Sequence, residues 1–506
     1  MAVNVSRRTT VNHTSRLDML RLPVLGRLLR WRWGRLAMQI PLIALAVLLI
    51  VDGLWGNQLA SRNTATIGAW VHYRGLVVLA LLLAGNLFCM ACPFTLPRTL
   101  AKRWSSSGRR WPRVLRNKWL AISGLFVFFF LYEWLDLWAS PWLTAWVIVT
   151  YFAASFTLEL FFKESPFCKY VCPLGTFNLV YATASPSQIG VRDHDICATC
   201  VGKECVNGSY SPQPIMLVDR YDPAGRPAAT HEHNARGTLG CGTLLFPPQM
   251  QSNLDCVFCL DCARACPHDN IGLFLRMPGR ELANPHAWRK RWDVALLVIA
   301  LAFMGITNAF GMVPPVYRLI DALAEGLRPL LALGFAPQAI EGVVLLLIFG
   351  VGNLLLPAGV ALGAGWLTQR VTSSAGRLSL REIVAAFAPA FVPVGLGIWT
   401  AHYLFHFLTG IGAIVPALQE FFGFVPSYAF MGAPLDSPWL GLIELVALLG
   451  GFIASAVLAQ RTALRLFRRQ GTQAFAVWLM VFVALLAAAL WLMDQPMEMR
   501  GVELFS

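Results

Sequence analysis

Apolar residues gather along this chain into runs of about 20 positions, the length an α-helix needs to cross a hydrocarbon layer about 30 Å thick. Such runs occupy roughly 37–57, 72–92, 118–138, 143–163, 293–313, 340–364, 382–409, 438–460 and 474–493. They predict an α-helical polytopic membrane protein with about nine transmembrane helices. Between the fourth and fifth runs, 164–292 carries charge, Pro, Gly and His but nothing long and apolar enough to cross. That stretch is expected to be a soluble insertion, with 206–236 an extended loop inside it. The expected organisation is a basic N-terminus (1–36), a four-helix membrane core (37–163), the inserted domain (164–292) and a five-helix membrane domain (293–506). Weaker segments at 315–335 and 411–430 read as helices lying at the membrane surface.

Charge adds an orientation. Of the 506 residues 57% are apolar and 13% charged, which excludes a disordered chain and a nucleic-acid-binding module. Lys and Arg number 41 against 27 Asp and Glu, a net +14, and the excess sits in alternate loops. Arg27, Arg30, Arg32 and Arg35 precede the first run, too polar a lead to read as a signal peptide. The connection at 98–118 carries Arg98, Lys102, Arg103, Arg109, Arg110, Arg113, Arg116 and Lys118, whereas 410–437 has no Lys or Arg. Positive loops stay inside, so the N-terminus and the inserted domain are expected in the cytoplasm of a bacterial inner membrane, with the C-terminus outside.

The cysteines bring in chemistry. All 12 fall between Cys89 and Cys266. Cys256, Cys259, Cys262 and Cys266, followed by Pro267, form C-x2-C-x2-C-x3-C-P, the spacing of bacterial ferredoxins, in which three thiolates hold one [4Fe-4S] cluster and the fourth serves a neighbouring one. A structural zinc site, the competing reading, uses pairs separated by longer gaps. Cys197, Cys200 and Cys205, then Cys241, are a degenerate second copy. Crossed ligation would group Cys197, Cys200, Cys205 with Cys266 and Cys256, Cys259, Cys262 with Cys241; uncrossed ligation stays open. Either way eight thiolates suit two clusters in a ferredoxin-like 2[4Fe-4S] domain, and a reducing cytosol would keep them free of disulfides. The remaining four form two similar pairs, Cys89/Cys92 in LFCMACPFTL and Cys168/Cys172 in PFCKYVCPLGTF. If they meet, they could hold a third [4Fe-4S] cluster; redox-active thiol pairs and structural cysteines are the alternatives.

These elements resemble the membrane polyferredoxins of the NapH and NosR type, a group that includes the CcoG-like oxidase-assembly proteins. The likeness covers about residues 37–275, and SPFCKYVCPLGTF, CATCVGKEC and DCVFCLDCARACPHDNIGL are most similar to the large FesM-like 4Fe-4S membrane proteins. The first pair departs from the pattern, with two residues between its thiols rather than three, and Cys241 is followed by Gly242 rather than Pro. The resemblance implies single-electron transfer between quinone or a cytoplasmic donor and a redox partner, such as a periplasmic cytochrome, a copper protein or a respiratory complex. The CcoG-like members imply an alternative, an assembly or metal-reducing factor, for which Met493, Met497 and Met499 would be soft copper ligands. A redox-driven transporter would need a charged central path, of which the sequence shows little.

In the C-terminal half, His402 and His406 share one helix face, and His72 is expected at the same depth at the start of the second run. Imidazoles within a membrane suggest b-type haem ligation, quinone binding or proton transfer, against packing alone. Asp52, Glu133 and Asp136 are expected to be solvated at the outer rim, and Glu159 and Glu444 could join a proton path. Asn353, with Gly352 and Pro357, reads as a broken helix or a packing kink.

Overall fold

In the computed structural model the described residues are 17–31, 33–96, 101, 109–162, 165–208, 238–285, 287–288, 291–329, 334, 336–374, 376–428 and 437–500. Apolar sequence is stored in ten main helices: α1 (Gly34–Trp55), α2 (Thr64–Leu83), α3 (Trp119–Trp134), α4 (Pro141–Phe161), α5 (Pro173–Tyr181), α6 (Trp292–Phe310), α7 (Pro337–Val371), α8 (Leu380–Thr409), α9 (Pro438–Phe467) and α10 (Gly471–Met493). Seven helical stretches are long and apolar enough to cross a membrane, so the protein is a helical, multi-pass membrane protein. Each of the nine expected runs is helical, but two of them, α9 and α10, lie in one 56-residue stretch interrupted at Arg468–Gln470. Helix α3 has only 16 residues, about 24 Å at 1.5 Å per residue. It ends in a turn at Leu135–Ala139, short of a full crossing.

The second run is corrected in register. Its helix starts at Thr64 and stops at Leu83, because Gly85 adopts φ +87° and packs against Ser185 and Ser187. His72 therefore sits inside α2, on a π-helical turn at Ile67–His72, rather than at its start. Cys89 lies beyond the break, on the short helix Leu87–Ala91.

Helices α6 and α8 are buried along most of their length, while α1, α4, α7, α9 and α10 leave much of their apolar surface facing outward. That is the distribution expected of two central helices ringed by helices that meet lipid. The core between them is aromatic: Trp399, Trp478, Phe387 and Phe391 are fully buried, and Phe387 stacks on Trp478 at 4.6 Å. Helices α8 and α9 touch through glycines: a Cβ on Gly397 would lie 2.6 Å from Ala447 O, and one on Gly451 2.5 Å from Pro393 O. The kink near Asn353 is a π-helical turn, Val351–Leu355, with Gly352 against Thr307, so close packing accounts for it. The surface segments at 315–335 and 411–430 contain the helices Pro314–Leu327 and Ile414–Phe421.

Between α5 and α6 the chain forms a two-stranded antiparallel sheet, β1 (Ser187–Val191) on β2 (Ile271–Leu275), with Ser187 opposite Leu275 and Val191 opposite Ile271. The sheet closes the two ends of the cysteine-bearing segment onto each other. The N-terminus adds to it, Leu275 N–H donating to Leu17 O at 2.9 Å and Leu273 N–H to Asp18 Oδ1 at 3.2 Å. Arg276 and Glu281, each buried, pair at 2.6 Å, and Arg276 also donates to Ser185 O and Thr183 O, which locks the sheet to the end of α5. Most of the loop expected at 206–236 lies outside the described residues.

Several acids differ from the expectation of solvation. Asp52 is buried and accepts from Thr64 N–H and Oγ1–H, both at 2.6 Å, which fixes the start of α2. Glu133 is buried and bound by both oxygens to Arg500 Nη1 at 2.7 and 2.6 Å. The tail after α10 thus folds back over the end of the bundle instead of trailing into water. Asp136 is exposed as expected.

Candidate metal centre

The two membrane-proximal thiol pairs are built alike. Cys92 and Cys172 each stand directly before a Pro that opens a helical turn, Pro93–Thr95 and α5, so the Cys occupies the N-cap position and the Pro the first turn. Cys172 Sγ accepts the Gly175 N–H at 3.1 Å. Its partner Cys168 lies on a single π-turn, Phe167–Val171. The pairs lie near each other: Cys92 is within electrostatic reach of Cys89 and Cys172, and Cys168 of Cys172, Cys92 and Cys89. Asn178 Nδ2 donates to Cys89 Sγ at 3.4 Å.

The other eight sort into two further groups. Cys241 lies near Cys256 and Cys262, and Cys262 near Cys259. Cys205 lies near Cys266, Cys197 and Cys200, and also near Cys241, and Cys266 lies near Cys200. Thiols from opposite ends of the segment are thus brought near one another, the β1–β2 pairing holding its ends together, and Cys241 lies close to both sets. Burial pushes the Cys205 thiol up to about 12, and neighbouring thiols push it the same way, so a negative thiolate there calls for a compensating cation.

The three groups are contiguous. Cys89, Cys168, Val257 and Cys259 share one apolar cluster, and Asn86 Nδ2 donates to Cys256 O at 3.0 Å. On the far side, Cys241 N–H donates to Cys205 O at 2.9 Å. Cys197, Cys200 and Cys266 at the outer end are only half-buried, whereas Cys256, Cys259 and Cys262 are buried.

Backbone conformation wraps these loops around their sulfurs. Asp255, Phe258 and Leu260 all have positive φ, 68°, 54° and 59°, as do Lys203, Leu244 and Asp269. Such conformations cost side-chain-bearing residues roughly 1–2 kcal/mol each, a strain held where it turns N–H groups toward a centre. The N–H groups of Phe258, His268 and Asn270 donate to Cys256 and Cys266, Leu245 N–H reaches Cys241 Sγ at 3.4 Å, and Asn270 Nδ2 reaches Cys197 Sγ at 3.1 Å.

Charged side chains that sequence reading assigned to orientation, or passed over, brace the site. Lys118 is fully buried, donating to Asp255 Oδ1 at 2.5 Å and Lys169 O at 2.7 Å. Burial alone would raise the Asp255 carboxyl, but Lys118 and Lys169 outweigh it and hold it below the usual range. Arg35 pairs with Asp261 at 3.3 Å and donates to Thr95 at 2.8 Å, and Gln39 donates to Cys92 O at 2.9 Å. Their sequence signal is a polar or charged residue at the rim of an apolar helix, which positive-inside counting absorbs.

The histidines fall into two places. His402 and His406 lie side by side on buried α8, ring centroids 5.0 Å apart, with His402 Nε2 against Met312 Sδ at 3.3 Å. His72 approaches Ile411 O with Nε2 at 3.0 Å and Ile67 O with Nδ1 at 3.3 Å, so neither nitrogen is turned to the pair on α8. Met493 and Met497 pack in an apolar cluster with Ala309 and Val313, and Met499 receives Thr409 Oγ1–H at 3.6 Å. Glu159 is buried beside Ser165, and Glu444 is half-buried on α9.

Among the described residues, no three His, Cys, Asp or Glu side chains converge on a point that a single metal ion would fill. A tetrahedral Zn–S site with 2.3 Å bonds needs sulfurs about 3.8 Å apart; a four-iron, four-sulfide core is larger and holds its thiolates further apart. A donor set of free thiols, buried or half-buried and met by N–H groups, is of the chemical kind that suits the latter. No family model, no curated protein and no solved structure matches this chain.

Proposed function

We propose that this protein is a membrane-bound electron carrier of the polyferredoxin kind, holding three [4Fe-4S] clusters: one on Cys89, Cys92, Cys168 and Cys172, one on Cys241, Cys256, Cys259 and Cys262, and one on Cys197, Cys200, Cys205 and Cys266. What supports the reading is that 12 free thiols from separate chain segments lie near one another, with contacts running from the membrane-proximal pairs to the Cys256 run and from Cys241 to Cys205. A bound [4Fe-4S] cluster takes up and releases one electron at a time. The chain's own part is to keep water from the sulfurs, to aim N–H donors at them, and to hold the groups in contact. The buried inner group faces the helices and a lipid-soluble quinone. The half-buried outer group, with Cys197 and Cys200 beside exposed Val201, faces a soluble redox protein.

On this reading the sheet and its cysteines lie in the bacterial cytoplasm, flanked by the basic segment ending at Lys118. The alternative of a metal-reducing assembly factor draws on the contact of Met312 with His402, a soft donor pair. It has the weaker support, since Arg74 and Arg500 both bear electrostatically on that histidine and oppose a cation there.

Anaerobically purified protein should carry about 12 iron and 12 sulfide per chain, four of each per cluster, with EPR signals on reduction. Iron-free protein, or zinc in its place, would refute the proposal.

A further inference from the structure

A cavity of about 50 Å³, open on one side, lies between α2, α3, α5 and α8, directly beside the inner thiol group. Its walls are flat and apolar, supplied by Trp70, Phe128, Phe129, Phe177 and Tyr403. Three polar side chains interrupt them. Arg74 is buried with its guanidinium 4.4 Å from the Tyr132 ring centre, 5.0 Å from Trp70 and 5.3 Å from Tyr403. Among the described residues it has no hydrogen-bond acceptor and no ion pair within 4 Å. A guanidinium carries five N–H donors, and here its neighbours among the described residues are aromatic faces, which leave those donors available to a ligand oxygen. Tyr73 Oη and Asn178 Oδ1 are buried without partners. These two belong to the thiol side: Asn178 donates to Cys89 Sγ, and Tyr73 lies within electrostatic reach of Cys89, Cys92 and Cys172.

We propose that this cavity binds the head group of a membrane quinone, with one ring oxygen on Arg74 and the opposite edge toward Tyr73 and Asn178. The ligand the walls select is planar and apolar, with oxygens at its two ends. It must be lipid-soluble, because the cavity lies among membrane helices, and half-buried Ala69, Phe128 and Leu174 leave it unsealed. The site moves quinone binding away from His72, His402 and His406. None of these lines the cavity, and Tyr403 stands between it and His402, ring centroids 5.4 Å apart. The inference deepens the electron-carrier reading and rests on it for the role of the ligand, but not for its binding.

The test uses full-length protein in nanodiscs of zwitterionic lipid, titrated with decylubiquinone and followed by quenching of tryptophan fluorescence, with iron measured on the same samples. Expected is saturable binding, weakened about tenfold or more by Arg74→Gln, less by Arg74→Lys, and blocked by Val77→Phe, which fills the cavity from a lining position. Circular dichroism and iron content of each variant report folding, and the Lys variant keeps the charge should the Gln variant fail to fold. Iron-replete protein that does not saturate, or binding unchanged by both Arg74→Gln and Val77→Phe, overturns the inference and leaves the cluster reading standing. Displacement of decylubiquinone by phosphatidylglycerol would overturn it in favour of a lipid phosphate. Saturable, Arg74-dependent binding to iron-free protein would sustain the cavity and sink the electron carrier.

Discussion

At the scale of the residue, the most consequential side chain is Lys118, which counts in the sequence as one more positive charge of a cytoplasmic loop. In the fold it is fully buried and bound to Asp255, at the turn that starts the run Cys256 to Cys266. Removing one partner of such a pair leaves a buried charge uncompensated, which costs about 3–5 kcal/mol. Lys118→Met should therefore lower thermal stability in detergent by that order, with loss of iron from the Cys256 loop. The pH dependence has a definite sign. The Asp255 carboxyl is held down in the fold, so its contribution is complete above the unfolded value of about 3.9 and is lost as pH falls through the folded one. Wild-type unfolding temperature should drop only in acid, whereas in Lys118→Met only Lys169 and Arg291 oppose burial, so the acid-induced drop should be smaller. A second test concerns Asn270, whose amide reaches Cys197 Sγ. Donors to sulfur stabilise the reduced, more negative cluster, so Asn270→Ala should shift one EPR-monitored potential downward and leave the others in place.

Secondary-structure elements were legible as far as apolarity goes. Nine runs were read and each is helical, because burial of twenty apolar residues in lipid leaves a helix as the way to satisfy the backbone. Boundaries set by contacts were not legible. The end of α2 at Leu83 depends on Gly85 meeting Ser185 and Ser187, a hundred residues later, and α3 stops after 16 residues at the turn before Ser140. Packing between helices likewise depends on small residues. Gly451→Ile would drive a branched side chain into the Pro393 carbonyl. It should destabilise the α8–α9 contact by about 1–3 kcal/mol, read as a lower unfolding temperature with iron content retained, because the nearest neighbours of Gly451 are Pro393 and Gly397 of α8 rather than a cysteine.

For the whole molecule, the decisive feature is the order of the three thiol groups from the helices to the half-exposed surface. If each holds a separate cluster, Cys89→Ser with Cys168→Ser should remove about four iron per chain and spare the EPR signals of the outer pair. Loss of all iron from that variant would show instead that the groups do not form independently. The C-terminal tail closes the opposite end, Arg500 binding Glu133 and donating to Gly311 O at 2.5 Å. Arg500→Met should cost about 3–5 kcal/mol by stranding Glu133 in the bundle, without changing the iron count.

Composition and spacing alone determined that the chain is a helical membrane protein, that its cysteines belong together, and which eight share a ferredoxin-like spacing. Hydropathy and ligand spacing are local properties, carried by neighbours in the chain. Tertiary structure decided that Cys89 and Cys92 lie near Cys168 and Cys172, that Cys241 lies near both the later run and Cys205, that Lys118 and Glu133 are buried in ion pairs, and that Arg74 faces a cavity. Each of these depends on segments dozens to hundreds of residues apart, and only the packing of the helices brings them within reach.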